Sequence, residues 1–548
     1  MNVLGINQFP GMLAWTHDSA AALVKDGKLI ASAEEERFNR LRHSKGYPHH
    51  AVAYCLTEGN LKKEDIDIIA ISYDPYQSLL NFPRNLSFQG LVQNILNLGF
   101  FWFYKKMAKK EFPRAKIVSI SHHLAHAASS YRCSGFNEAN ILVVDASGET
   151  ETFSFFVGQN NKIKRIWDIK LNKFGGSGKK NSIGLVYTRV TNFLNLGVHG
   201  EGKTMGLASY GQPVYDFSGI LNITSHKDYC INRHKITELY GSLERKDPKG
   251  PITQEHKNLA ASLQKALEDS ILNLTKEAYG YSKIRKFCLA GGVTLNCNTN
   301  SLILDQNYCD DIFIQPAAND GGSALGAALE AASRFDRTIN FKMNTAYWGP
   351  AFTDKEIEVL LRGAKVLFSY HKDIEKNVAK LLAEGKIVGW LQGRAELGPR
   401  ALCNRSILAD PTILGINDRV NNMVKHREVW RPFAPVVMEE EAREYFGNKK
   451  PSPFMLLTFY VKDNYRKKLP AITHIDGSSR IQTINKYQNP KCYGLLEEFK
   501  KIKGVPILMN TSFNDQGEPI VNTPKDALKC FFATGLDALI MGNYLVKK

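Results

Sequence analysis

Short aliphatic and β-branched runs recur through the first half of this chain, and nearly every one breaks off into a turn of glycine or polar residues. VLGIN, SAAALV and LIASAEEE open it, and DIIAISY, KIVSIS, ANILVVD and KFCLAGG follow. Each has the length and composition of a β-strand. Lys25-Asp26-Gly27 joins the second run to the third as a hairpin turn. Helical stretches, at residues 258–279 and 323–335 among others, lie between the runs. Strands and helices in alternation predict an α/β fold, with ligands held at the polar turns where strands end.

A chain of 548 residues, 43% hydrophobic and 23% charged, can bury a large core and divide into two to four domains. Gly349-Pro350 punctuates the sequence, and Thr353 to Glu356 then offers a capping box for a new helix, so the boundary is expected there, separating 1–347 from 348–548. No internal repeat is visible. The nine cysteines are scattered, with no CxxC pair, as in a protein of reduced thiols. The N-terminus has no basic start followed by an apolar run, so a cytoplasmic protein is expected. LVQNILNLGFFWFY, at 91–104, is too short and too interrupted to span a bilayer; followed by Lys105, Lys106, Lys109 and Lys110, it reads as a buried helix with a solvated basic end, with a place on a membrane surface or over an acceptor pocket as the alternatives. Net charge is +17. No basic run interleaved with aromatics accompanies it, so DNA is not expected as a partner, and anionic small substrates or a lysine-rich surface account for the charge equally well.

SHHLAHAASS, at 121–130, raises the chemistry. His122 and His126 are four apart, so on a helix both imidazoles reach one point, whereas His123 faces about 100° away. Asp145 closes the strand ILVVD, and Asp320 stands in QPAANDGGSALGAAL between a strand and a helix. Each carboxylate also suits a turn or a helix cap. Taken with the histidines they form an N2O2 set suited to Fe(II), Mn(II) or Zn(II). Glycine turns surround them: Gly148 after Asp145, Gly202-Lys203 and Gly206 in GEGKTMG, Gly291-Gly292 and Asn296 in LAGGVTLN, and Gly321 after Asp320. Their bare amides could approach phosphate, although no Walker A loop is present.

HHLAHAASSY, VVDASGET, GEGKTMGLASYG, LAGGVTLNCNTN and QPAANDGGSALGAAL, in this order, resemble the N-terminal half of O-carbamoyltransferases of the NodU/CmcH family. The resemblance covers nearly the whole chain. It implies an actin/Hsp70-like (Kae1-like) ATPase-fold domain followed by a YrdC-like α/β domain that binds carbamoyl phosphate. By motif, it implies that His122, His126, Asp145 and Asp320 hold a divalent metal, with Fe2+ favoured and Mn2+ or Zn2+ as alternatives. The glycine loops would bind ATP, with Mg2+. His17 and Asp18 in THDSAAAL, and Arg37 in EEERFNR, would lie near the transfer site; alternatively, Asp18 caps a turn and Arg37 pairs with one of Glu34 to Glu36.

The second half concentrates cations in GRAELGPRALCNRS, KHREVWRPFAP, SSR and NTSFN. Some arginines could pair internally with Glu396 or Glu428. The resemblance implies that Lys425, Arg480 and Ser512 hold carbamoyl phosphate, helped by Arg394 and Arg405. Carbamoyl phosphate and ATP would then give carbamoyladenylate, whose carbamoyl group passes to a small-molecule hydroxyl acceptor such as a sugar or natural product. A homodimer is one assembly such a chain could form. Two alternatives remain at this level: a tRNA threonylcarbamoyl-type enzyme, and a non-enzymatic ATP-dependent switch. The first lacks an RNA module in this sequence, and the second would leave the cations of the second half without a role.

Overall fold

The computed structural model describes residues 1–7, 17–80, 88–171, 181–335, 339–428 and 430–548. It divides into two compact units, Met1–Glu35 with His43–Met343 and Glu36–Arg42 with Asn344–Lys548.

In the first unit, β1 (Asn2–Ile6), β2 (Ala20–Lys25), β3 (Lys28–Glu34), β4 (Ile68–Ile71) and β5 (Lys116–Ser119) form one sheet in the order β3-β2-β1-β4-β5. The first three strands are an antiparallel meander, and β4 and β5 join in parallel. A second sheet repeats the plan. Its meander is β6 (Glu138–Val144), β7 (Glu151–Gln159) and β8 (Lys162–Lys170). A small hairpin of β9 (Leu221–Ile223) and β10 (Tyr229–Ile231) intervenes. Then β11 (Lys286–Ala290) and β12 (Asp311–Ile314) join β6 in parallel, giving β12-β11-β6-β7-β8. The unit is therefore a topological duplication, although the sequence shows no repeat: backbone pairing is conserved between the halves while side chains have diverged. The central strands read as continuous apolar runs because both faces are covered; every residue of β4 is buried.

One helix follows the last strand of each half, and the two exchange places. Helix His122–Ser134 follows β5 yet packs on β6, β7, β11 and β12, whereas helix Gly321–Ser333 follows β12 and packs on β1, β2 and β4. The two helices also pack on each other. Small residues permit this: a Cβ on Gly326 would lie 1.7 Å from the carbonyl oxygen of Ala125 on the facing helix. Both N-termini thereby meet the C-terminal end of β6, where ligands of open α/β sheets collect.

The helix between β4 and β5, Phe88–Glu111, departs from the expected buried segment. Phe101, Tyr104 and Ala108 are buried, but Trp102 and Phe103 are exposed. Among the described residues no helix is long and apolar enough to cross a membrane.

The second unit is a mixed sheet of eight strands: β13 (Phe368–Tyr370), β14 (Val388–Leu391), β15 (Arg405–Ala409), β16 (Ala434–Met438), β19 (Gln482–Ile484), β20 (Ile507–Ser512), β21 (Ala538–Met541) and β22 (Tyr544–Val546). Their order is β13-β22-β21-β14-β15-β20-β16-β19. A separate hairpin pairs β17 (Phe459–Tyr460) with β18 (Ser478–Ser479). Trp390 on β14 and Phe499 in helix Pro490–Lys503 are fully buried in its core. Thr353 and Glu356 form the expected capping box.

Gly326→Ala should lower the stability of the first unit by about 3 kcal/mol, because backbone of the facing helix must move. Chemical denaturation of the purified variant against wild type measures it, and an unchanged midpoint would mean the crossing is not tight.

Candidate metal and transfer site

Helix His122–Ser134 starts without a side-chain cap from Ser121. Glu149, in the β6–β7 turn, replaces it: its carboxylate accepts the His122 N–H at 2.9 and 3.1 Å and the Asp74 N–H at 2.8 Å. Burial and the neighbouring Glu151 push the Glu149 carboxyl up to about 7. The four-residue spacing then sets the imidazoles of His122 and His126 edge to face, with their Nε2 atoms 3.2 Å apart. His122 Nε2 is 3.0 Å from Asp145 Oδ2 and 3.5 Å from Asp320 Oδ1. His126 Nε2 is 3.6 Å from each of the same two oxygens.

These separations identify what the four groups can hold. Ligands at ~2.1 Å from a shared ion stand ~3.4 Å apart in a tetrahedron and ~3.0 Å apart at neighbouring octahedral corners. The five distances lie between those values or just beyond. Four buried or half-buried donors of this kind fit a divalent cation. The surroundings fix Asp145: its Oδ1 accepts the Ala146 N–H at 2.7 Å and the Gly292 N–H at 3.4 Å. Burial disfavours a charged imidazole at His122, yet the Asp320 and Asp145 carboxylates outweigh it and hold the pKa well above the usual histidine range. His123, the third histidine of the motif, faces away into the core. Its Nδ1 meets Ser154 Oγ at 2.7 Å, and burial holds it neutral.

Beside the tetrad lies an imidazole group built on Asp18. This residue has φ of 60°, a left-handed backbone that aspartate tolerates better than most residues. Its carboxylate meets His17 Nδ1 at 2.9 Å and His43 Nδ1 at 2.6 Å, and accepts the Asn319 Nδ2–H at 2.9 Å. Both rings are thus held with Nδ1 toward the carboxylate, which leaves Nε2 as the second nitrogen of each; that of His43 is buried. His199 stacks on His43 at 3.8 Å and meets His17 edge-on at 5.1 Å. Asn7 Nδ2 donates to the backbone carbonyls of both Asp18 and Asp320, at 2.7 and 2.8 Å, tying this group to the tetrad. Burial opposes charge on His17, but the Asp18 hydrogen bond and the Asp320 and Asp145 charges raise its pKa to about 9.

The glycine motifs are placed differently from expectation. Gly202, Lys203 and Gly206 belong to helix Glu201–Ala208 rather than to an open loop; the Lys203 and Thr204 amides donate to the Gly200 carbonyl. The helix forms because Thr204 and Leu207 bury one face, Thr204 bonding Thr191. Gly291 donates its amide to Ala318, and its φ of 93° leaves a Cβ 2.3 Å from the Val144 carbonyl oxygen, so glycine is required by chain approach. Asn296 caps helix Cys297–Leu304 and bonds Gln264. Gly148 bonds Glu151 and packs on His123, and Gly321 starts its helix against Glu34.

In the second unit Lys425 and Ser512 come together as expected: the Lys425 ammonium donates to Ser512 O at 2.9 Å, Ser512 Oγ at 3.2 Å and Asn514 O at 2.9 Å. Burial, then the Arg427 charge, pulls its pKa well below the lysine range. Arg427 and Arg431 are held below the arginine range by burial and by repulsion that includes Arg480. Among the described residues, Arg480 Nε and Arg427 Nη2 are buried without a hydrogen-bond partner. A cluster of cations under mutual repulsion, with donors unmet, has the character an anion site requires. Two expected helpers do not fit it. Arg405 is fully buried and donates to the carbonyls of Asn522, Gln392, Gly393, Asn404 and Pro350, and Arg394 donates to Gly349 and Trp348. Arg37 is grouped with the second unit, where it donates to the Gly398 carbonyl. Sequence reasoning passed over His43, His199, Asn319, Arg427 and Arg431; for the last two the signal was the run of cations in KHREVWR.

Residues 8–329 match the family described as "Carbamoyltransferase N-terminus" and residues 379–548 "Carbamoyltransferase C-terminus". The chain belongs to the carbamoyltransferase family. It is 37% identical to nodulation protein NolNO of Sinorhizobium fredii, over 97% of this chain and 79% of that one. It is 28% identical to the 3'-hydroxymethylcephem-O-carbamoyltransferase of Amycolatopsis lactamdurans, over 96% and 97% of the two chains. The crystal structure of HypF from T. kodakarensis is similar with a TM-score of 0.36 and 11% identity, covering 61% of this chain and 48% of that one. As a carbamoyltransferase, the chain is a transferase enzyme with two matched halves.

His126→Ala or Asp145→Asn should reduce bound divalent metal at least tenfold, read by elemental analysis of protein purified under anaerobic Fe(II). A second outcome concerns pH. With metal removed, the raised His17 pKa contributes stability that is fully present below about 6.5, the unperturbed value, and is lost as pH rises through about 9. Metal-stripped protein should therefore lose stability over that window, and Asp18→Asn should flatten the profile.

Proposed function

We propose that this chain is an ATP-dependent O-carbamoyltransferase that makes carbamoyladenylate in its second half and transfers the carbamoyl group in its first. The observation that carries the reading is that one chain holds both a tetrad suited to a divalent cation beside an oriented imidazole and a separate cluster of cations, buried at Lys425 and half-buried at Arg427, Arg431 and Arg480. The duplicated strand order with exchanged helices supports an actin/Hsp70-like, Kae1-like transfer domain over 1–347. The mixed eight-stranded sheet with its cation cluster supports a YrdC-like donor domain over 348–548.

In the donor half, Lys425, Ser512, Arg427, Arg431 and Arg480 bind the phosphate of carbamoyl phosphate. One water cleaves the carbamoyl–phosphate bond and inorganic phosphate leaves; the buried Lys425 and the half-buried arginines around it then limit the access of further water to the carbamate that forms. A carbamate oxygen then attacks the α-phosphorus of ATP, and pyrophosphate departs. In the transfer half, His17 Nε2 takes the proton of the acceptor hydroxyl while Asp18 holds the ring by Nδ1. The hydroxyl oxygen bonds to the carbamoyl carbon, and AMP leaves. His122, His126, Asp145 and Asp320 would hold the divalent ion, Fe2+ before Mn2+ or Zn2+, which supplies Lewis acidity toward the AMP phosphate. ATP itself carries Mg2+. The acceptor class is a hydroxyl on a small molecule, such as a sugar, a Nod-factor-like oligosaccharide or a natural product, in keeping with the names of the two relatives.

Mass spectrometry of the protein incubated with ATP and carbamoyl phosphate, with and without Fe(II), tests the reading. Carbamoyladenylate and pyrophosphate should appear and be lost in Arg480→Ala; their absence with every metal tried would sink it. Arg427→Ala should raise KM for carbamoyl phosphate about 10- to 100-fold. His17→Ala should leave adenylate formation intact and slow transfer to a hydroxyl acceptor by about 10²- to 10⁴-fold.

A further inference from the structure

Helix Phe88–Glu111 has two faces that the carbamoyl chemistry does not use together. Phe101, Tyr104 and Ala108, at helical spacing, are buried and anchor it. On the other side, Trp102 is 67% exposed, Phe103 54%, Met107 51% and Ile95 56%. Trp102 lies one turn before Lys106 and two turns after Ile95; Phe103, Met107 and Lys110 form the neighbouring stripe. The helix dipole accounts for Lys109 and Lys110 in the last turn, but not for an indole and a phenyl ring left side by side in water. Lys106 sits over the Trp102 ring at 5.7 Å, and Lys105 over Phe101 at 4.6 Å, so charge and aromatic surface are interleaved.

From this face we infer that the Phe88–Glu111 helix is a docking surface for an anionic lipid membrane, lying in the plane of the interface. Aromatic rings insert at headgroup depth while lysines meet lipid phosphates, the pattern of helices that rest on membranes without crossing them. Charge complementarity decides against a second copy of this face, since the helix carries no acidic residue before Glu111 and would offer its own lysines no counter-charge. The chain's net charge of +17 acts in the same direction. Two adjacent exposed stripes on one helix make a convex surface, which suits a flat bilayer better than a peptide that needs a groove.

The test is co-sedimentation of the full-length protein with vesicles of phosphatidylcholine alone and with about 30% phosphatidylglycerol, at low and high salt. Binding should require the anionic lipid, weaken with salt, fall about fivefold for each of Lys106→Gln and Lys110→Gln, and be lost in Trp102→Ala/Phe103→Ala. Carbamoyladenylate formation, unchanged in these surface variants, controls for folding. Equal binding to neutral vesicles, no binding, or a Trp102-dependent dimer in the absence of lipid would each overturn the inference.

Discussion

The crossing of helices His122–Ser134 and Gly321–Ser333 is the constraint on which the rest of the first unit depends. Each helix belongs by sequence to one half and by packing to the other, so neither sheet completes its core without the other's helix. Contact this close needs residues without bulk at Gly326 and Ala125. Because the two N-termini meet where β6 ends, a histidine pair, a strand-end aspartate and a helix-start aspartate arrive at one point. The site is thus a product of the duplication: two equivalent helix starts, one carrying imidazoles and the other a carboxylate.

The charge distribution follows from that geometry. Asp145 and Asp320 are brought together in a buried place, where two carboxylates repel each other and desolvation works against both. The imidazoles of His17, His122 and His126 offset part of this, which is why His122 and His17 both bind their protons so firmly. A divalent ion would take over that role and let His17 give up its proton, as the proposed transfer step requires. The second unit has the opposite imbalance, with Lys425, Arg427, Arg431 and Arg480 gathered without enough carboxylates. Each half therefore has a deficit that a ligand of the opposite sign would correct.

Much of this was legible beforehand, and the limits have physical causes. The strands VLGIN through KFCLAGG, the hairpin at Lys25–Gly27, the capping box at Thr353 and the His122/His126 pair could be read because local periodicity and spacing encode them, whereas Asp145 and Asp320 were joined to that pair by the resemblance of their motifs. The duplication could not, since strand order is carried by backbone pairing rather than by any repeated side chain. GEGKTMG looked like an open loop because its three glycines outweighed the tertiary packing of Thr204 and Leu207 that makes most of it a helix. Arg405 looked like a phosphate ligand because nothing local reveals five carbonyls contributed from distant turns. His43 and His199 stood out by no spacing of their own; His43 reaches Asp18, and His199 reaches His43, only through the fold.

Seven residues, Glu36–Arg42, belong to the second unit although the chain on either side of them belongs to the first. Arg40 among them donates to the carbonyls of Pro519 and Ile520. On the ribosome this segment emerges about 300 residues before the rest of its unit, an interval of roughly 15 to 60 s at ordinary elongation rates. The first half can reach its own native pairing during that time, but the second cannot finish until the chain has left the tunnel. Cutting the gene at the boundary would therefore not yield two self-sufficient proteins, since the C-terminal fragment would lack a piece encoded upstream.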